Sequence, residues 1–188
     1  SNQTQNKNVY IIHGFDASSE RHWFPWLNKL LMDRGISVES IDMPTPAQPD
    51  CGTWISFLSK RLTNVTRDTY FVAHSLGCIT TLRYLQKASV PIGGVVLVSG
   101  FDQPIPGFSF LDEFTAEMPD YKLLSEIIPN RAVVSAMDDP IVPYEFSRTF
   151  SKRFGAVFYE TETGGHYLDA CGITTLPIVY DALSQMME

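Results

Sequence analysis

One serine lies between a predicted strand and a predicted helix, in a pattern that could make it a nucleophile. In Ala73-His74-Ser75-Leu76-Gly77, small residues stand two positions before and two positions after Ser75. Strand and helix approach closely at such a turn, which directs the serine hydroxyl away from the sheet. The Leu76 amide would lie at a helix N-terminus, where it could donate a hydrogen bond to a developing oxyanion. On this pentapeptide alone, a serine that only caps the helix is the alternative.

A serine nucleophile of this kind needs a histidine as its base. The chain has four histidines: His13, His22, His74 and His166. His166 follows the last predicted strand in a glycine-rich loop, 163–167, which could hold its imidazole over Ser75. The other three end a strand, begin a helix or lie within the turn itself. We therefore predict His166 as the base, with an ordinary surface-loop histidine as the alternative.

Two adjacent aspartates, Asp138 and Asp139, follow the fifth predicted strand. A carboxylate at this place could accept a hydrogen bond from Nδ1 of His166 and select its tautomer. Pro140 restricts Asp139 to an extended backbone, which favours Asp139 as the acid and leaves Asp138 as the alternative or as a cap of the turn. The order serine, aspartate, histidine along the chain is that of α/β-hydrolases rather than of the chymotrypsin or subtilisin families.

The elements that must position these residues alternate between strand and helix. The apolar runs predict strands at 9–12, 37–41, 69–73, 94–98, 132–136 and 157–159. A helix follows most of them; the first runs from a cap at Ser19 to a stop at Gly35, and the third covers 75–87. Such a series predicts an α/β fold in three layers, a mostly parallel sheet of about six strands with helices on both faces. Ligand sites on such sheets lie beyond the carboxyl ends of the strands.

Two segments depart from this alternation within a chain that we interpret as a single domain over 1–188. Residues 101–130 form an insertion interrupted by prolines, with short helices expected near Ser109 and Asp120, and we predict that it acts as a lid. Residues 1–8 are polar and show no pattern of a buried element, so we expect them to be disordered or vector-derived.

Composition excludes several classes of function. The 188 residues are 44% hydrophobic, and 14 Lys and Arg stand against 21 Asp and Glu, for a net charge of −7 without a basic stripe. Nucleic acid is therefore not an expected partner, and no apolar run approaches the roughly 20 residues of a membrane helix. Three widely spaced cysteines, Cys51, Cys78 and Cys171, predict reduced thiols and, with no signal-peptide core, a cytoplasmic protein. Without a metal cluster, Rossmann glycine pattern or phosphate loop, we expect no metal and no cofactor.

The whole pattern resembles the small serine hydrolases of the YdeN type, a branch of the α/β-hydrolase fold that includes the retinoblastoma-binding serine hydrolases of animals. The resemblance covers nearly the whole chain and rests on segments 11–14, 22–27, 43–44, 73–77, 97–99, 138–140 and 164–166. It implies a compact α/β-hydrolase fold without the usual opening antiparallel strands, a triad of Ser75, Asp139 and His166, and hydrolysis of carboxylic esters. Ala73 departs from the commoner glycine, and Phe15 stands where many hydrolases have a further glycine.

These observations lead to one expected function and its alternatives. We expect a carboxylesterase that acts on small acyl esters through an acyl-enzyme, with the backbone amides of Leu76 and Phe15 as the oxyanion hole. For substrate binding we predict His13, Trp23, Phe101 and Phe108, with core packing as the alternative for the aromatic residues. The alternatives are a thioesterase or amidase on the same triad, or a hydrolase-fold scaffold that binds a protein and has little activity. Nothing in the sequence indicates a protein partner.

Overall fold

A computed structural model describes residues 6–188, which contain one sheet of six parallel strands in the order β2-β1-β3-β4-β5-β6. The strands are β1 (Asn8–Ile12), β2 (Ser37–Ile41), β3 (Thr69–His74), β4 (Gly94–Val98), β5 (Asn130–Ala136) and β6 (Val157–Thr161). The helices are α1 (Phe24–Asp33), α2 (Cys51–Arg61), α3 (Leu76–Ala88), α4 (Tyr121–Ile127), α5 (Tyr144–Phe154) and α6 (Pro177–Met187). The direction in which successive strands are added to the sheet reverses once: β2 lies on one side of β1, and β3 to β6 lie on the other, as in doubly wound sheets.

Helices cover both faces of the sheet, so the predicted three-layer α/β architecture is confirmed. On one face, α1 and α6 pack on the sheet through Leu27, Leu31, Val179 and Leu183. On the other face, α2, α3, α4 and α5 bury a second apolar cluster that includes Trp54, Ile79, Leu124 and Phe150. Because both faces are covered, every residue of β3 and β4 is buried, which explains why these strands are nearly continuous apolar runs in the sequence.

The strand register aligns the carboxyl ends of the central strands. Ile12 of β1 pairs with Ala73 of β3, and His74 pairs with Val98 of β4. The loops that follow β1, β3, β4 and β5 therefore meet at one edge of the sheet. This is the edge at which the sequence predicts the functional residues.

Helix α1 begins five residues after its predicted cap at Ser19, so that boundary was wrong. The helix starts at Phe24 because Pro25 supplies the fixed φ of a first helical turn and no amide that would need a partner. Ser19 instead donates from its amide and its hydroxyl to the carboxylate of Asp42, at 2.8 and 3.0 Å. The predicted end is confirmed, since Gly35 has φ of 77° and its amide donates to Met32 O.

The insertion 101–130 contains the two expected short helices, a 3-10 helix over Ser109–Thr115 and α4, which Asp120 caps through the Leu123 amide. Asp102 connects the segment to α5: its buried carboxylate accepts hydrogen bonds from Tyr121 Oη, within the segment, and from Arg153 of α5, both at 2.7 Å. A lid role for this segment stays a prediction.

The polar N-terminal segment joins the fold earlier than expected. Strand β1 begins at Asn8, and Lys7 pairs with the carboxylate of Asp68 at 3.2 Å, so the expectation of disorder was wrong for these two residues. Residues 1–5 lie outside the described residues. None of the helices in 6–188 combines the length and the apolar character that crossing a membrane requires.

We predict that alanine has opposite effects on stability at two glycines that occupy the same position in their helices, because only one of them lies at the tight turn after β3. Gly77 and Gly52 are each the second residue of a helix, but a Cβ on Gly77 would lie 2.6 Å from the carbonyl oxygens of Ile12 and His13. We expect Gly77→Ala to lower the free energy of unfolding by about 1–3 kcal/mol. Gly52→Ala meets only Asp50 Oδ2, at 3.6 Å, and should raise that free energy by about 0.4–1 kcal/mol. Urea titrations of both variants test this; equal effects would contradict the close contact.

Candidate active site

Ser75 alone forms the turn between β3 and α3, in a strained conformation. Its φ of 56° and ψ of −122° lie outside the regions that L-residues normally occupy. Two hydrogen bonds hold the turn: the Ser75 amide donates to Val98 O at 2.8 Å, and its carbonyl accepts from the Cys78 amide at 2.9 Å. The hydroxyl makes no capping hydrogen bond to α3, so the interpretation of Ser75 as a simple cap is wrong.

The hydroxyl of Ser75 is instead the first member of a chain of hydrogen bonds. Ser75 Oγ lies 2.9 Å from His166 Nε2, and His166 Nδ1 lies 2.9 Å from Asp139 Oδ2. Since a carboxylate only accepts, Nδ1 carries the proton and Nε2 is free to accept from the serine. The structure thus brings together the three residues that were predicted as the triad, although they are up to 91 positions apart in sequence.

The two neighbouring aspartates have different partners. Besides His166, Asp139 accepts hydrogen bonds from the amides of Ile141 and Val142, at 2.8 and 3.0 Å, and its side chain is fully buried. Asp138 is exposed and accepts from the Gly165 amide at 2.8 Å, next to His166 in sequence. Asp139 therefore orients the His166 ring, and Asp138 holds the loop that carries it.

His74 supports the same loop from the end of β3. Its Nε2 donates to the main-chain oxygen of His166 at 2.8 Å, and the two rings lie 4.9 Å apart. Burial lowers the pKa of His74 well below its ordinary value, so the ring is neutral. The sequence analysis assigned His74 no part in the site. The only signal in the sequence that could have indicated such a role is that His74 directly precedes Ser75.

The amides predicted to form the oxyanion hole are placed at the same edge. Leu76 is the first residue of α3, and its amide nitrogen lies 3.2 Å from the position that a Cβ on Gly14 would take. Phe15 follows Gly14 and lines the same cleft as Ser75. Within residues 6–188, neither amide donates a hydrogen bond to another group. Backbone donors without a partner at the cleft that contains Ser75 are what a tetrahedral oxyanion requires.

A cleft of about 300 Å³ opens over Ser75 and is lined mainly by apolar side chains. Of the four residues predicted to bind substrate, Phe101 and Phe108 line it. The further apolar residues of this wall that sequence reasoning missed include Ile105, Leu111, Ile141, Val142 and Leu168. The first four lie in the insertion and in the loop that follows β5 and carries Asp138 and Asp139, which we call the acid loop, and only those locations could have signalled them. Phe15, Phe108 and Phe110 form a cluster at the cleft, with ring centroids 5.2–6.3 Å apart.

The other two predicted substrate-binding residues, His13 and Trp23, do not line the cleft, and this correction has a physical reason in each case. His13 is buried with both ring nitrogens occupied: Nδ1 donates to Gly14 O at 2.7 Å, and Nε2 accepts from the Met43 amide at 2.9 Å. It thereby joins the loop after β1 to the loop after β2. Trp23 is fully buried before α1, in edge contact with Phe24 and His74.

Three further polar residues, Asp16, Arg21 and His22, also line the cleft and were not predicted. In the part of the chain from 6 to 188, no group of three or more His, Cys, Asp or Glu side chains could hold a metal ion. The three cysteines are free thiols, and burial raises the pKa of the Cys78 thiol far above its ordinary value, so it is not a second nucleophile.

Known proteins share this arrangement of elements. A model of the serine hydrolase family matches residues 9–185. The YdeN protein of Bacillus subtilis is 44% identical over 180 residues, which are 95% of each chain. The crystal structure of the ydeN gene product from B. subtilis superimposes with a TM-score of 0.91 at 42% identity and covers 96% of this chain and 98% of its own. Est1E from Butyrivibrio proteoclasticus, solved with ferulic acid, has a TM-score of 0.74 at 17% identity and covers 98% of this chain and 90% of its own.

The match to Est1E concerns the fold alone, since its sequence identity is low. The family match extends over almost the entire described chain. The similarity to YdeN spans Ser75, the acid loop and the glycine-rich loop that carries His166. With its six-stranded parallel sheet and helices on both faces, this chain belongs to the serine hydrolase family and has the α/β-hydrolase fold.

Proposed function

We propose that this protein is a carboxylesterase that hydrolyses small acyl esters through an acyl-enzyme on Ser75. The observation that carries the proposal is the continuous hydrogen-bonded chain from Ser75 Oγ through His166 to the buried carboxylate of Asp139. A scaffold that only binds other proteins would not need this alignment, nor a strained backbone at Ser75.

The proposed reaction has two halves. His166 Nε2 takes the proton of Ser75 Oγ as the oxygen attacks the acyl carbonyl, and the amides of Leu76 and Phe15 stabilise the oxyanion. The C–O bond to the alcohol then breaks, the alcohol leaves with the proton held by His166, and the acyl group remains on Ser75. Water, activated by the same imidazole, releases the acid and restores the serine. Asp139 stabilises the imidazolium in both halves.

The shape of the cleft supports a small, apolar substrate. A volume of about 300 Å³ is at the lower end of the range for ligand pockets, and most of its wall is aliphatic or aromatic. A small-molecule ester is accordingly the ligand in this proposal. We further propose a cytoplasmic location, because the three cysteines are unpaired, as is usual in a reducing compartment.

Ser75→Ala tests the nucleophile. A fluorophosphonate probe should add one adduct to the wild-type protein, detected by intact mass, and none to Ser75→Ala. Turnover of nitrophenyl acetate should fall at least about 1,000-fold, because no other group can form the acyl-enzyme. Ser59→Ala, on the exposed face of α2, is the matched control and should behave like the wild type.

The same assay separates the alternatives. Folded wild-type protein that takes no label and turns over no ester would favour the binding scaffold. A thioester or an anilide of the same acid that reacts faster than the oxygen ester would identify a thioesterase or an amidase instead.

Asp139→Asn and Asp138→Asn form a matched pair. In Asp139→Asn, the new side-chain amide would face Nδ1 and stabilise the wrong tautomer of His166, so we expect kcat to fall about 1,000- to 10,000-fold. In Asp138→Asn, the asparagine oxygen can still accept from the Gly165 amide, and kcat should change less than about threefold. Steady-state kinetics at neutral pH measure both; a comparable loss in the two variants would refute the choice of acid.

Phe108→Ala tests whether the aromatic wall limits the acyl chain. Removal of the ring enlarges the cleft, so the ratio of kcat/KM for a long-chain over a short-chain nitrophenyl ester should rise about three- to tenfold. Phe57→Ala removes a phenylalanine of α2 that packs on the core away from the cleft and is the control. An unchanged ratio in Phe108→Ala would show that the acyl chain lies elsewhere.

A further inference from the structure

The cleft has a polar corner at Arg21 and His22, and Asp169, which does not itself line the cleft, holds both residues. Arg21 makes a two-pronged contact with this carboxylate, with Nε to Oδ2 at 2.8 Å and Nη2 to Oδ1 at 2.9 Å. The main-chain amide of His22 donates to the same carboxylate at 3.0 Å. The Arg21 guanidinium holds the pKa of Asp169 well below its usual range, so the pair is ionised and its charges cancel. The proposed triad uses none of these three residues.

The hydrogen bonds determine which nitrogen of His22 carries its proton. The Asp169 amide donates to His22 Nδ1 at 3.0 Å, a shorter contact than the 3.4 Å between Nδ1 and Asp169 Oδ1, so Nδ1 is an acceptor. In a neutral imidazole the proton must then be on Nε2. Burial lowers the pKa of His22 to about 4, so the ring is neutral near pH 7 and presents a single N–H.

This N–H has no partner and remains accessible. Within residues 6–188, His22 Nε2 makes no hydrogen bond. The buried side-chain nitrogen and oxygen atoms without a partner in these residues are Trp23 Nε1 and Ser99 Oγ. His22 Nε2 is not one of them, so this atom keeps some contact with solvent. The side chain of His22 is 5% exposed, and it lines the same cleft as Ser75 and His166. A small exposed area that faces a cleft leaves Nε2–H available to a bound molecule.

The surroundings hold this imidazole in place. Its backbone φ of 56° is unusual for a histidine. The ring packs edge-on against Phe24 and His74, with centroids 5.6 and 5.3 Å away. A strained backbone and a side chain restrained on several sides are typical of residues whose orientation serves a ligand.

His22 also lies near His166, which delivers a proton to the departing alcohol in the proposed reaction. Asp169, its hydrogen-bond partner, follows His166 by three residues, and His74 contacts the rings of both histidines. His166 returns its proton to the departing alcohol, so the alcohol portion of an ester has to lie next to His166.

We propose that His22 is a specificity-determining residue whose Nε2–H donates a hydrogen bond to an oxygen in the alcohol portion of the substrate. The substrate class is then an ester of an alcohol that carries a second oxygen close to the ester bond, as in glycol and polyol esters. This inference rests on the proposed esterase function and specifies its substrate.

His22→Asn leaves no N–H at the position of Nε2, because the asparagine side chain is shorter and holds its own NH2 group nearer the backbone. Asparagine tolerates positive φ better than most residues, and its Oδ1 can take the place of Nδ1 in accepting from the Asp169 amide. The substrates are the methoxyethyl and n-butyl esters of one acid, which have equal numbers of heavy atoms and differ by one ether oxygen. The measurement is the ratio of kcat/KM for the methoxyethyl ester over the butyl ester, in which differences of intrinsic reactivity cancel between variants.

We expect this ratio to fall about three- to tenfold in His22→Asn, the range of one hydrogen bond, with the melting temperature close to that of the wild type. His22→Gln has a longer side chain that can again present an N–H, so the ratio should be closer to the wild-type value than in His22→Asn. It is also the variant to use if His22→Asn does not fold. Glu20→Gln, on the exposed neighbour of Arg21, is the control and should leave the ratio unchanged.

The outcomes separate the inference from the function on which it rests. An unchanged ratio in folded His22→Asn, or equal losses for both esters, overturns the role of His22 while esterase activity remains. If the wild type hydrolyses neither ester and Ser75 takes no fluorophosphonate label, the esterase function fails and the inference fails with it.

Discussion

The site depends on one close contact, between the turn at Ser75 and the loop that follows β1. Gly77 lies directly under the carbonyl oxygens of Ile12 and His13, and Gly14 lies directly against His74 O, so neither position has room for a side chain. This contact, with the hydrogen bond from the Ser75 amide to Val98 O, forces the serine into a strained conformation and directs its hydroxyl outward. The packing of three parallel strands compensates for the strain, because β1, β3 and β4 are buried on both sides.

His166 approaches this serine from a loop that has little regular structure, and several separate contacts compensate for its freedom. Asp139 orients the ring, Asp138 holds the Gly165 amide, and His74 holds the main-chain oxygen of His166. Farther along, Asp169 joins the loop to the segment before α1 through Arg21. With the ring and its loop held at these points, His166 already has the geometry that the proposed proton transfer needs, so this proposal requires little reorganisation when a substrate binds.

The cleft combines an extended apolar wall with one polar corner. Most of the wall comes from the insertion and the loop after β5, and the buried Asp102 ties the insertion to α5 through Arg153. The corner contains Arg21, which is paired with Asp169, the neutral imidazole of His22, and Asp16. An apolar wall beside hydrogen-bonding groups suits a molecule with an apolar part and one or two oxygens, which agrees with the proposed ester substrate.

The sequence by itself determined the order of the elements, the elbow serine, the acid loop and the histidine loop. These features are local: a strand buried on both faces must be an apolar run, and a turn as tight as that at Ser75 accepts only small neighbours. The choice between Asp138 and Asp139 and the true roles of His13 and Trp23 became clear only in the folded chain. His22 and Asp169 are 147 positions apart, and no local sequence pattern predicts that they are in contact. Tertiary structure decided these points because a side chain's partners, and so its tautomer and accessibility, depend on segments that folding brings together.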